Sequence, residues 1–252
     1  MPGGIHSRVE YTGLPMSGPD RPYTGHMALT GKSKVLHGTT TRADGHWGFD
    51  SITEPRMADF IEQKTGRRPT LLGWAEQVHG TRVLHVRSRS CLGEKADAFY
   101  TAKPGVALTV RTADCVPVFV DAGSAVGLAH AGMAGAVKGV VPKLLAALEK
   151  RTGEPANSFR VWMGPHICKK CYRMSENNKK WLTGYPDASR FIDTRSTEQF
   201  FDLQKVIKEQ LRAAGVHRIT GTSECTFHGE WFSARRDAGS SRMLSYIMLV
   251  DA

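Results

Sequence analysis

The chain has 252 residues with 40% hydrophobic and 23% charged content, the balance of a globular protein with ample material for a buried core. No run of about 18 apolar residues offers a membrane span, the opening MPGGIHSRVE lacks a signal peptide's apolar segment, and the five cysteines are odd in number and scattered, against a secreted disulfide framework. A cytoplasmic location is expected. The formal charge of +10 suits an anionic partner, but the basic residues are dispersed without dense runs or interleaved aromatics, which reads as a solvated surface rather than a nucleic-acid footprint.

Residues 1–33 are rich in Gly, Pro, Ser and Thr and read as an irregular arm; residues 34–252 read as one domain. KVLHGTTTR has β character and delivers Arg42 at its end. Between Thr53 and Lys64, Met57, Phe60 and Ile61 recur at helical spacing, with Thr53 as N-cap, Pro55 in the first turn and Gly66 beyond the end. LLGWAEQVHG reads as a strand entering a turn, with RVLHVRS as its neighbouring strand. VALTVRTADCVPVFV and SAVGLAHAG, separated by the turn DAGS, read as paired strands. A helical stripe follows at Val137, Val140, Val141, Leu144, Leu145 and Leu148, with Gly153 as its stop and Pro142 complicating its start. FRVWMG at 159–164 reads as a buried strand, residues 197–213 as an amphipathic helix, and the end of the chain as a basic turn leading into a buried β-run. These elements predict a single α/β domain of mixed sheets flanked by helices.

Three short boxes carry the chemistry: QVHG at 77–80, RTADCVPV at 111–118 and AHAGMAG at 129–135. Each presents one metal-capable or nucleophilic side chain at a strand edge: His79, Cys115 and His130. Two imidazoles and a thiolate match the three protein ligands of a catalytic zinc, though their spacing fits no compact zinc finger and the three must meet through tertiary folding. Without metal, Cys115 is a candidate nucleophile with His130 as its base, the arrangement of a cysteine hydrolase or deamidase. Asp114 either orients a ligand imidazole or makes an ordinary Asp-turn bond to backbone. Cys168 and Cys171 form a C-x-x-C that suits a redox pair or half a zinc site. With no second C-x-x-C in the chain, they read as an incidental thiol pair. Arg235, Arg236 and Arg242 are candidates for anion contacts.

The wording of the boxes resembles the laccase-domain, or multicopper polyphenol oxidase, family (YfiH-like). The likeness runs through HGTTTR at 37–42, QVHG, ADAFYT at 96–101, TADCVPV, AHAGMAG, GPHICKKCY at 164–172 and the closing CTFHGEWFSARRDAGSSRMLSYI. It implies a zinc site at His79, Cys115 and His130, catalytic roles for Arg42, Asp114 and Cys115, and substrate contacts at Gln77, Met133 and Arg236. It also implies phosphorolysis of purine nucleosides such as adenosine, inosine and methylthioadenosine, with adenosine deamination as a further activity, in a monomer or homodimer whose partners are a nucleoside and phosphate. The fold implied resembles the catalytic domain of cytotoxic necrotizing factor. Met133 and Ala134 stand where the family has Trp and Arg, which leaves open a member that binds a purine or phosphate without turnover. Copper suits the site only adventitiously: no His-x-His pair, the usual mark of a multicopper centre, occurs in the chain.

Overall fold

The computed structural model describes residues 23–251 apart from 31–32, 49, 89–90, 92 and 222–223. The strands are β1 (Tyr23–Thr30), β2 (Ser33–Thr40), β3 (Leu71–Gly73), β4 (Val83–His85), β5 (Ala98–Thr101), β6 (Val106–Thr112), β7 (Val116–Asp121), β8 (Val126–Ala131), β9 (Arg160–Met163), β10 (Ile192–Arg195), β11 (Glu198–Phe201), β12 (Arg218–Gly221) and β13 (Met243–Asp251). The helices are α1 (Glu54–Thr65), α2 (Met133–Val137), α3 (Val140–Thr152), α4 (Glu176–Lys179), α5 (Leu203–Ala213) and α6 (Ala234–Asp237). One sheet has the order β1-β2-β13-β6-β3, the other β12-β9-β7-β8-β5-β4, and β10 and β11 form a separate pair.

Side-chain alternation stacks these elements in four layers. On β13, Ile247 and Leu249 turn into the core between the two sheets, joined by Val106, Leu108 and Val110 of β6 and by Phe99, Phe119 and Leu128 of the facing sheet. Leu244, Tyr246 and Met248 turn the other way, against Met57, Phe60 and Ile61 of α1. On the far side of the six-stranded sheet, Val116, Val118, Val120 and Ala129 meet Leu144, Leu145 and Leu148 of α3 and Val206, Ile207 and Leu211 of α5. Strands covered on both faces need apolar residues on both, so β6, β7, β8 and β13 appear in the sequence as nearly continuous apolar runs. The result is a single α/β domain of mixed sheets flanked by helices.

The α1 prediction holds in detail: the Thr53 hydroxyl accepts from the Arg56 N–H, and Gly66 ends the helix in the left-handed region. Four other expectations need correction. Residues 23–30, expected in the irregular arm, pair with β2 along their length, while residues 1–22 lie outside the described residues. β3 and β4 are not neighbours: β3 pairs with β6 and β4 with β5, so the QVHG turn crosses from one sheet to the other. The stripe from Val137 to Leu148 is two helices, broken at Gly139 (φ 85°), which lets Pro142 sit harmlessly in the first turn of α3. The helix expected at 197–213 begins at Leu203, because Phe200 belongs to the β10–β11 hairpin and Asp202 supplies the N-cap. Among the described residues, no helix is long and apolar enough to cross a membrane.

Leu144 is fully buried between α3 and the six-stranded sheet. Leu144→Ala should therefore lower unfolding free energy by about 2–5 kcal/mol in chemical denaturation.

Candidate metal centre

The two sheets bring the three boxes to one edge of the fold. Cys115 sits in the turn from β6 to β7, His130 near the end of β8, and His79 in the crossing turn after β3. A ligand atom from each lies within 4.8 Å of the other two. The Cys115 Sγ is 3.8 Å from His79 Nε2, and the two imidazoles meet edge to face with centroids 4.8 Å apart.

Asp97, a residue the sequence reading passed over inside ADAFYT, holds this arrangement. Its side chain is fully buried, and Oδ1 lies 2.8 Å from His130 Nδ1. That contact leaves Nε2 of His130 as the nitrogen available to a ligand. The same carboxylate accepts the backbone N–H groups of Val78, His79 and Gly80 at 3.2, 3.0 and 2.7 Å. Those bonds fix the QVHG turn, in which His79 takes a φ of 56°, a left-handed conformation unusual for a residue with a side chain. Burial pushes the Asp97 pKa up, but the His130 bond and charge, with the Gly80 and Val78 N–H groups, bring it below the usual carboxylate value.

Glycines of AHAGMAG provide the clearance. A Cβ at Gly132 would stand 2.7 Å from His79 Cδ2 and 2.8 Å from Cys115 Sγ, and one at Gly135 would stand 2.9 Å from the Gly80 carbonyl oxygen. The short helix α2 thus packs against the QVHG turn only because these positions lack side chains.

The triad opens into a cleft of about 600 Å³, lined also by Gln77, Arg111, Asp114, Tyr172, Arg235 and Arg242. Gln77 clamps the β6 end from both sides: its Nε2 donates to the Arg111 carbonyl and its Oε1 accepts from the Arg111 N–H, both at 2.8 Å. Arg111 is buried, and burial first, then the charge of Arg242, lowers its pKa. Burial and then the Cys115 charge push the Tyr172 phenol up, so its hydroxyl stays a donor.

Several expected residues stand elsewhere. The Arg42 guanidinium lies 3.4 Å from the Asp237 carboxylate and 5.3 Å from the Phe232 ring centroid, and it is not among the described residues lining the cleft. Arg236 donates to the carbonyls of Thr226, Phe227 and Trp231 and to Asp237, so its planar fork is used up in shaping the chain. Met133 is 4% exposed and belongs to the core beneath α2. Asp114 faces the cleft, but it touches no imidazole: its Oδ1 accepts from the Thr226 hydroxyl at 2.7 Å and its Oδ2 from the Arg235 N–H at 2.8 Å. Asp114 has a φ of 87°, and these long-range bonds secure that turn. Arg235 and Arg242, which the sequence did single out, do line the cleft.

A family model described as multi-copper polyphenol oxidoreductase laccase matches residues 56–250. The chain belongs to this laccase family. Among relatives of this laccase-family chain, the protein of Escherichia coli called purine nucleoside phosphorylase YfiH is 32% identical over 206 residues, 80% of this chain and 82% of that one. A Pseudomonas aeruginosa protein, also called a purine nucleoside phosphorylase, is 31% identical over 236 residues, 87% of this chain and 95% of its own. Among solved structures, YfiH of Bacillus licheniformis superposes with a TM-score of 0.74 at 26% identity over 91% of this chain and 97% of that one. YlmD of Geobacillus stearothermophilus gives 0.73 at 25% identity over 90% and 97%. The YfiH-like branch of the family is therefore where the chain sits in both sequence and fold.

The donor set of two imidazoles and one thiol suits zinc, with one position left toward the cleft. Asp97→Asn should lower zinc affinity by about 10–100-fold in chelator competition, because the neutral amide no longer holds His130 and the QVHG turn together. A second expectation concerns the metal-free protein. Burial raises the Cys115 pKa, but the charge and hydrogen bonds of His130, then of His79, lower it to about 6. Iodoacetamide should thus alkylate Cys115 readily at pH 7, the rate falling as pH drops through about 6, whereas an ordinary thiol would need pH above about 8.

Proposed function

We propose that this chain is a zinc-dependent purine nucleoside phosphorylase, with zinc held by His79, Cys115 and His130. The observation that carries the proposal is the meeting of a metal-ligand triad with three arginines in one cleft, and the names of the relatives support the substrate class. A metal at the triad would act as a Lewis acid on a polar atom of the nucleoside.

The chain's own residues supply the rest. Arg111, Arg235 and Arg242 hold phosphate in place of Arg42 and Arg236, because they line the cleft and those two do not. A phosphate oxygen forms a bond to the anomeric carbon of the ribose as the carbon–nitrogen bond to the purine breaks. The bonding electron pair leaves with the base, which takes up the proton that the hydrogen phosphate gives up, and the products are the sugar phosphate and the free purine. Positive charge develops on the sugar, so an anion held beside it stabilises the transition state. Tyr172, kept protonated, offers a hydrogen bond to the substrate.

One observation favours a second reading. Asp97, His130 and Cys115 form a line in which a carboxylate orients an imidazole beside a thiol of lowered pKa, the arrangement of a cysteine hydrolase. Metal analysis separates the two, since a hydrolase of this kind would be active without zinc.

Zinc-loaded protein incubated with adenosine, inosine or methylthioadenosine should release free base only when phosphate is present. Arg242→Ala should raise the KM for phosphate by about 10–100-fold, the loss of a charged hydrogen bond, with less change in the KM for nucleoside. Absence of base release from all three nucleosides, with or without phosphate, would contradict the proposal.

A further inference from the structure

Away from the cleft triad, a second group of metal-capable atoms gathers where two distant stretches of chain meet. The sulfurs of Cys168, Cys171 and Cys225 all lie within 4.8 Å of one another. The Nε2 of His228 is 3.2 Å from the Cys171 Sγ. In sequence these residues read C-x-x-C and, much later, C-x-x-H: CKKC at 168–171 and CTFH at 225–228. All four belong to tight turns. The N–H groups of Cys171 and Tyr172 both donate to the Cys168 carbonyl at 3.0 Å, and the His228 N–H donates to the Cys225 carbonyl at 3.0 Å. Such turns present the first and fourth side chains on the same side. The Cys168 N–H also donates to the Cys225 Sγ at 3.2 Å, which ties the two turns together.

We propose that Cys168, Cys171, Cys225 and His228 form a second zinc site, structural in role and separate from the cleft. Three sulfurs and an imidazole are a recurrent ligand set of structural zinc. Around a tetrahedral ion with bonds of about 2.3 Å, sulfurs stand about 3.8 Å apart, so the three sulfurs need only a small contraction, and His228, already 3.2 Å from Cys171, would have to swing in as the fourth ligand. Four protein ligands leave no open position for substrate. Binding exchanges three thiol protons, released to solvent, for three zinc–sulfur bonds, with no change of oxidation state. The exposed Lys169 and Lys170 between the first two ligands balance the net negative charge of a thiolate-rich site.

The position gives the site its purpose. Cys171 precedes Tyr172, and Cys225 precedes Thr226, whose hydroxyl holds Asp114. The two stretches also meet through an isolated bridge between His166 and Cys225, the Thr226 N–H on the His166 carbonyl at 3.1 Å, and the Arg235 guanidinium, which donates to the Arg173 carbonyl at 2.7 Å and lies over the Tyr172 ring. A metal joining the turns fastens the cleft wall that carries Tyr172 and Arg235.

Metal analysis of the full chain produced with ample zinc tests this independently of the chemistry in the cleft. The wild type should carry two zinc ions; Cys171→Ser and His228→Ala should each lose one and keep the other, and Cys115→Ser should lose only the cleft ion. A wild type whose zinc content is unchanged by Cys171→Ser overturns the proposal, as does an intact mass two hydrogens low with Cys168 and Cys171 linked. If Cys115→Ser alone leaves zinc content unchanged, the cleft assignment fails and the second site stands. Should the cluster variants not fold, thiol labelling of the wild type decides. Cys168, Cys171 and Cys225 should resist alkylation until a strong chelator is added, and reaction at full rate before chelation overturns the site.

Discussion

A single buried carboxylate ties the candidate centre together. Asp97 accepts three consecutive backbone N–H groups of the QVHG turn and bonds to the His130 imidazole, so one side chain sets both the path of the turn that carries His79 and the ring orientation of His130. The backbone adds to it, since the His130 N–H donates to the Asp97 carbonyl at 2.7 Å where β5 pairs with β8. A buried carboxylate without such partners would be costly, and an unusual left-handed His79 without such an acceptor would relax. Each makes the other tenable, and together they place two imidazoles beside Cys115 before any ligand arrives.

The layered architecture explains why residues so distant in sequence can meet. β6 and β7 belong to different sheets, and the chain turns between them at Asp114 and Cys115; the QVHG segment, between β3 and β4, crosses between the same sheets in the same direction. β8, central in the six-stranded sheet, delivers His130 to the same edge. A rigid stack of four layers thus supports a site built mostly from turns, and the arginines of the β6 end and the C-terminal segment wall it in. The electrostatics are consistent with this placement. Guanidinium groups line one wall of the cleft and a thiol of lowered pKa lies at its floor.

Much of this was legible in the sequence, and the failures have physical causes. The α1 caps, the β7–β8 pairing and the buried terminal strand follow from local rules: a Thr N-cap with Pro in the first turn, a Gly stop, apolar runs around a short turn. His79, Cys115 and His130 could be named because each is the one imidazole or thiol of its box. Asp97 was missed because its importance lies in accepting backbone donors from a turn far away in sequence, which no local pattern announces. Arg42 and Arg236 lie away from the cleft for a related reason. A sequence reports that an arginine is present but not which way the fold points it, and here Arg42 lies toward Asp237 while Asp237 and main-chain carbonyls take up the Arg236 fork. Met133, likewise, follows the site in sequence but turns away from it with the first turn of α2. That Cys225 lies beside the C-x-x-C could not be read locally, because 54 positions separate Cys171 from Cys225 and only the fold brings their sulfurs together.

The central claim is that Asp97 preorganises His79, Cys115 and His130 around one metal position facing the arginine-walled cleft. Anomalous diffraction at the zinc absorption edge, from crystals of protein produced with zinc, tests it most directly. The account predicts an anomalous peak within bonding distance of His79 Nε2, Cys115 Sγ and His130 Nε2, with its remaining side toward Arg111 and Arg242. Crystals in which those three atoms surround no anomalous peak, with the imidazoles turned away from the sulfur, would contradict it.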